Sequence, residues 1–350
     1  MKILGLDLGQ SKSAWHLLDK DTREYRIGTV EMDDDTLLKA LKRLAPELLV
    51  MESGPLAARV HDLAVATGVR VLVADTTQEA WQWKNVKRKT DADDAAKLAN
   101  LAALDLINPV HVPSPAVRER RGLQEHRAAL VADATCAKNR LRALLLLHNL
   151  RLPSGKTGWT AAARASLRAH TKPFADCGAD EYWRSRLALE LQHLEQIEAL
   201  VAQLTAQLDQ LADADPRVRQ LRTIPGVGSR TAEVLVTVLD EPRRFKSRRQ
   251  VSAYAGLVPR RYQSGQMDRS GRITKRGSPL LRKVLNQAAW VAVRCDPGLQ
   301  AFYLRVGGAQ KKRRKQAIVA VMRKLLVLGW ALLRDRTVYR VRPAPEVRAA

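Results

Sequence analysis

A chain of 350 residues has room for two or three domains with real cores. Lys and Arg outnumber Asp and Glu by 60 to 36, a formal charge of +24; this implies a polyanionic partner, nucleic acid first, because each neutralised phosphate releases counterions. A membrane is disfavoured because no apolar run approaches a spanning length and no lipidation motif is present, and the scattered Cys136, Cys177 and Cys295 have no metal-ligand spacing and fit a reducing compartment.

Residues 1–112 read as α/β. "KILGLDLG" is an apolar strand containing Asp7, without a secretory h-region. "TLLKALKRL" has helical spacing, "ELLVMES" is a buried strand ending at Glu52, "LAARVHDLAVATG" is a helix closed by Gly68, and "VRVLVAD" is a further strand. Strands alternating with helices predict a partly parallel sheet.

Residues 113–215 are helical. "LVADATCAKNRLRALLLLHNL" predicts a long helix, broken by Pro153, Gly155 and Gly158. Further on, Leu194, Ile197, Val201, Leu204, Leu208 and Leu211 alternate spacings of three and four. That a/d seam fits a dimerising coiled coil and a helical hairpin within one chain equally well. Residues 216–340 are helical and very basic, with a Gly-x-Gly turn in "IPGVGSRTA", and 341–350 form a loose tail.

The stretch "KRKTDADDAAKLANL" concentrates carboxylates behind Lys87, Arg88 and Lys89. Thr90 with Asp93 three residues on is a capping-box signal, and acids suit a first turn. At about 100° per residue, however, Asp91 and Asp94 share a face with Ala95, Leu98 and Ala102, while Asp93 points to solvent. Two carboxylates on a packing face repel each other and cost desolvation, which a divalent cation relieves. Asp7 and Glu52 are two more acids in strands. Each alone has a structural reading, as a turn cap or a loop start. Together the four suit a sheet edge that holds Mg²⁺ for phosphoryl transfer.

On these residues the sequence resembles the DEDD transposases of the insertion-sequence one-ten family. Asp7 in "GLDLGQSKS", Glu52 in "VMESG", and Asp91 with Asp94 match the acidic tetrad of an RNase H-like, RuvC-type domain. "IPGVGSRTAEVLV", "AYAGLVP", "QSG" and "GRITKRGSPLLRKVLNQAA" resemble the family's transposase domain in the same order. The resemblance implies a mixed-sheet RNase H-like domain, a helical coiled-coil middle, and a helical transposase domain with a helix-hairpin-helix-like turn. It implies a recombinase of a mobile element that uses one or two Mg²⁺ ions, guided by a bridge RNA pairing with donor and target DNA. It further implies a homo-oligomer, dimeric or tetrameric, in a prokaryotic cytoplasm close to the nucleoid.

The resemblance places the covalent nucleophile on Ser264 in "YQSGQ" and its activation on the tetrad of another subunit. As residues, Ser264 sits among turn formers and Gly265 admits a close phosphate, with Arg260, Arg261, Arg269 and Arg272 available to orient phosphate oxygens. Ser270 and Ser278 are alternatives, although Ser278 before Pro279 also reads as a helix N-cap. Gly226 and Gly228, with Val227 between them, offer amides to a phosphate, or simply connect two helices. Lys275, Arg276, Lys311, Lys312, Arg313 and Arg314 are backbone-contact candidates, against the plainer reading of solvated charge. Trp81 and Trp83 are stacking or packing residues. Two other readings compete: a metal-dependent Holliday-junction endonuclease of the same fold that uses water, and a nucleic-acid scaffold whose acids are only caps and loops.

Overall fold

The computed structural model describes residues 1–75, 90–265, 267–308 and 313–341. The chain forms two compact units, Met1–Ser114 and Pro115–Ala350.

The first unit begins with β1 (Lys2–Asp7), β2 (Lys12–Asp19) and β3 (Tyr25–Glu31). It continues with α1 (Asp34–Leu44), β4 (Leu48–Glu52), α2 (Ala57–Ala66), β5 (Arg70–Ala74) and α3 (Asp91–Ala103). The strands form one mixed sheet in the order β3-β2-β1-β4-β5. β1–β2 and β2–β3 are antiparallel, whereas β1–β4 and β4–β5 are parallel. Helices cover both faces, which is why β1 and β4 are apolar almost throughout. Leu4, Leu6, Leu49 and Met51 pack with Leu37 and Leu41 of α1 and Val60 of α2. Ile3, Leu48 and Val50 pack on the other face with Leu98, Ala99 and Ala102 of α3. The hairpin of β2 and β3 was not among the sequence expectations; its turn places Arg23 at φ 65° without a glycine.

The second unit holds α4 (Pro115–Leu147), α5 (Ala161–Arg168), α6 (Tyr182–Ala214), α7 (Pro216–Leu221), α8 (Ser229–Leu239) and α9 (Arg248–Tyr254). A two-stranded ribbon follows, β6 (Pro259–Ser264) and β7 (Met267–Ile273), then α10 (Pro279–Cys295), α11 (Pro297–Gly307) and α12 (Arg314–Asp335). α4 and α6 are antiparallel: Arg140 pairs with Glu190, and Arg127 donates to Thr205 Oγ1. Leu194 and Ile197 of the predicted seam lie in a cluster with Leu141, Leu144 and Leu145 of α4, so α4 of the same chain covers that part of the seam. The second core joins Leu235 and Leu239 of α8, Leu285 and Ala289 of α10, and Val321, Leu325 and Leu326 of α12.

α12 corrects one expectation. It contains an 18-residue window of mean hydropathy 1.7, long and apolar enough to cross a bilayer by composition alone, with 50% of the window buried inside the unit. Its hydropathy is that of a helix packed in the core. The basic C-terminal part is likewise not purely helical: the ribbon interrupts it, and all its described side chains except Ile273 are exposed.

Candidate active site

β1 and β4 end together. Leu6 pairs with Met51 across the parallel ladder, so Asp7 and Glu52, one residue further on, close adjacent strands about 4.8 Å apart. Alternation puts Asp7 on the face of Ile3, and Glu52 on the face of Leu48 and Val50, which is the face covered by α3. Asp75, just past β5, alternates to the opposite face with Val73.

α3 lies directly on β1. Ala95 and Ala99 sit over Gly5, so the first turn of α3 stands over the end of β1. Asp94 in that turn is only 5% exposed. The capping box forms: Thr90 Oγ1 accepts from the Asp93 N–H at 3.3 Å, and Asp93 Oδ2 accepts from the Thr90 N–H at 3.2 Å. Asp91 and Asp93 differ from expectation, because Asp91 is exposed and Asp93 is half-buried. Burial begins one turn into the helix, and the capping box folds Asp93 back over the helix start.

The structure therefore brings Asp7, Glu52 and Asp94 to one end of one sheet face, with Asp91 exposed at the start of α3. Oxygen donors of this kind suit a hard divalent cation. Among the described residues, no three His, Cys, Asp or Glu side chains stand close enough together to hold one. Asp7, Glu52 and Asp94 all have polar or electrostatic partners, so none is bare.

Ser264 ends β6 at the tip of the exposed ribbon, paired with Met267, and Gly265 follows at φ 54°. Alternation puts Arg260, Tyr262 and Arg269 on the face of Ser264. Arg261 lies on the other face and is engaged by Asp268, with contacts of 3.0 and 2.6 Å. That hydrogen bond holds the Asp268 carboxyl below its usual range and raises the Arg261 guanidinium. Arg272 and Ser270 are exposed on β7. Ser278 is the N-cap of α10, accepting from the Leu281 N–H at 3.2 Å, with Pro279 in the first turn.

Lys275 and Arg276 are exposed at the base of the ribbon, Lys275 at φ 58°. Arg313 and Arg314 are exposed at the start of α12. Lys87, Arg88, Lys89, Lys311, Lys312, Trp81 and Trp83 lie outside the described residues. In the Gly-x-Gly turn, the Val227 amide is committed to the Ile224 carbonyl at 3.0 Å. Gly226, at φ 84°, is required by packing: a Cβ there would lie 2.6 Å from both the Ala288 oxygen and the Ala292 nitrogen of α10. Gly228 is the exposed N-cap of α8.

Two family models match this chain. One, described as Transposase, of the DEDD IS110 type, covers residues 4–149, and one described as Transposase IS116/IS110/IS902 family covers residues 218–304. The chain belongs to this transposase family. It is similar to the transposase for insertion sequence element IS1328 of Yersinia enterocolitica, at 26% identity over 96% of this chain and 98% of that one. It is also similar to the pilin gene-inverting protein of Moraxella lacunata, at 37% identity over 39% of this chain and 44% of that one. Among solved structures, it matches Thermus thermophilus RuvC at 16% identity and a TM-score of 0.23, over 31% of this chain and 100% of that one.

Two features of the transposase were not read from its sequence. Arg282 of α10 donates to the Ala255, Arg276 and Gly277 carbonyls at 3.3, 2.6 and 3.1 Å, stapling the base of the ribbon to α9; burial lowers its pKa. Glu233 of α8 is 0% exposed, with Arg230 at 3.0 Å and Arg120 at 3.5 Å. Arg120 also holds Asp215 at 2.8 Å. Burial pushes the Glu233 carboxyl up against the pull of those arginines. For Asp215, burial acts upward, but hydrogen bonds from Arg217 and Arg120 outweigh it and the carboxyl is lowered. A glutamate inside the apolar run "AEVLVTVL" was the available sequence signal for this network.

Proposed function

We propose that this transposase exchanges DNA strands through a phosphoserine intermediate on Ser264, with Asp7, Glu52, Asp91 and Asp94 as ligands of Mg²⁺. The reading is supported above all by the shared placement of Asp7, Glu52 and Asp94 at one end of one sheet face. The strand order β3-β2-β1-β4-β5, with its antiparallel and parallel halves, supports an RNase H-like fold for the first unit. The bound ion would neutralise charge developing on the phosphate oxygens.

The residues of the chain carry the rest. Ser264 Oγ attacks the scissile phosphorus, its proton passing to solvent; the Oγ–P bond forms and the sugar oxygen leaves as a hydroxyl. A sugar hydroxyl from the other DNA then attacks phosphorus, restores a phosphodiester and returns Ser264. Bond energy is conserved and no nucleotide triphosphate is consumed. Arg260 and Arg269, on the face of Ser264, orient the phosphate oxygens. Bridge RNA supplies the sequence choice, consistent with a basic chain whose ribbon contacts backbone phosphate. Two subunits act together, the tetrad of one with the serine of the other. Leu189 and Leu200, 53% and 46% exposed on the outer side of α6, support a second copy there.

The test is a nicked donor DNA that traps the covalent intermediate, run on denaturing gels. Wild type, Ser270→Ala and Ser278→Ala give a protein–DNA adduct, and Ser264→Ala and Asp94→Asn give none. An adduct with Ser264→Ala sinks the serine assignment. Cleaved DNA with free ends and no adduct in wild type turns the reading to a hydrolytic junction endonuclease.

A further inference from the structure

α10 has a second face that neither the core nor the proposed chemistry uses. Leu281, Leu285, Ala288 and Ala292 bury one side of it. Lys283, Gln287, Trp290 and Arg294, at spacings of four, three and four, form an exposed stripe on the other. Trp290 is 44% exposed. Its ring meets Tyr303 of α11 edge-on, centroids 6.1 Å apart at 61°. That contact fixes the indole plane while much of the ring stays open to solvent.

Charge identifies what the stripe fits. It contains two cations and no acid. Among the described residues, Lys283 and Arg294 have no ion-pair partner. On helical geometry they stand about 10 Å and about 6 Å along the axis from Trp290, one on each side. A large exposed aromatic between unpaired cations matches a nucleobase flanked by its phosphates. Duplex DNA hides its base faces in the stack and would leave the indole without a partner. An unpaired strand offers both the base face and the charge. Lys283 and Arg294 would also repel a basic second copy of this chain.

We infer that the Lys283–Trp290–Arg294 stripe binds an unpaired segment of the DNA strand, with one base stacked on Trp290. A rigid core helix is a suitable place to hold a flexible single strand. The stripe needs neither Ser264 nor the acidic tetrad, so it stands or falls separately from the proposed chemistry.

The experiment measures full-length protein binding to a single-stranded oligodeoxynucleotide, to the same sequence as duplex, and to the matching RNA, by anisotropy of a labelled oligomer. Trp290→Leu keeps apolar volume and removes the stacking face; Trp290→Phe keeps a smaller one. Trp290→Leu weakens single-strand DNA binding about 10-fold, Trp290→Phe weakens it less, and duplex binding is unchanged. Lys283→Ala and Arg294→Ala each lower the salt slope for the single strand by about 0.7. Unchanged single-strand affinity in Trp290→Leu overturns the inference, as does an equal loss on duplex. A Trp290 effect confined to RNA overturns it, and so does a shift to a smaller assembly by sedimentation without any change in DNA binding.

Discussion

A Cβ on Gly5 would lie 2.1 Å from the Ala95 carbonyl oxygen and 2.9 Å from the Ala99 nitrogen. Gly5 is two residues from Asp7, and Ala95 follows Asp94. The close approach of β1 and α3 thus sets the distance between two of the proposed metal ligands. Because the obstructing atoms are backbone, Gly5→Ala is expected to move α3 as a whole. The predicted cost is about 3 kcal/mol, the upper part of the overpacking range, read as a lower urea midpoint, together with loss of strand cleavage.

Asp93 and Asp94 are neighbours with separable roles. Asp93→Ala removes half of the capping box and should cost about 1 kcal/mol, with cleavage retained. Asp94→Asn should keep the fold and reduce cleavage roughly 10²–10³-fold, the scale of losing one charged group at a transition state. Thermal midpoints and single-turnover cleavage on the two variants distinguish them. The reverse pattern would place the chemistry on the wrong aspartate.

Asp215 and Glu233 should respond to pH in opposite senses. The Asp215 carboxyl is lowered in the folded chain, so its contribution is present above the ordinary aspartate value and lost as pH falls through the depressed one. Asp215→Asn removes the closer of the two carboxylates of Arg120 and should cost about 3 kcal/mol near neutrality, a difference that closes on acidification below about pH 4. Glu233 is raised, so its contribution is present below the ordinary glutamate value and lost as pH rises through the raised one. Glu233→Gln should therefore cost less than Asp215→Asn near neutrality. Urea titrations across the acid range check both.

Arg282 anchors the ribbon through three carbonyls. Arg282→Met should destabilise the protein by about 1 kcal/mol, since three carbonyls, one part-buried and two exposed, lose a charged donor. It should also slow adduct formation on Ser264. All three bonds come from Nη1 alone, so Arg282→Lys, whose ammonium carries three donors on one nitrogen, should recover part of the loss. Proteolysis within residues 259–273 would report loosening of the ribbon.

The sequence made legible those elements whose residues answer to local physics. Asp7 and Glu52 stood out as acids in strands, Thr90 and Asp93 as a capping box, and Ser278 with Pro279 as a helix start. β2 and β3 escaped because the burial of β2, on both faces over much of its length, blurs alternation, and Arg23 takes a turn conformation usually signalled by Gly or Asn. β6 and β7 escaped because a ribbon exposed on both sides has no period to read. The Arg120–Glu233 pair joins positions 113 residues apart, and no local pattern links them. For the proposed site, the sequence supplied the acids, and sheet parity decided which of them share a face: Asp75 is a carboxylate at a strand end like Glu52, yet alternation turns it away.

The central strand of the first sheet is also the first one synthesised. β1 pairs at once with β2, but its parallel neighbour β4 emerges about 40 residues later, a delay of about 2–8 s at roughly 5–20 residues per second. During that interval β1 keeps an open hydrogen-bonding edge on the ribosome, and Asp7 waits for every other carboxylate of its group. If the acids act as proposed, no pair of strand carboxylates can hold a cation until the crossover through α1 has brought Glu52 beside Asp7.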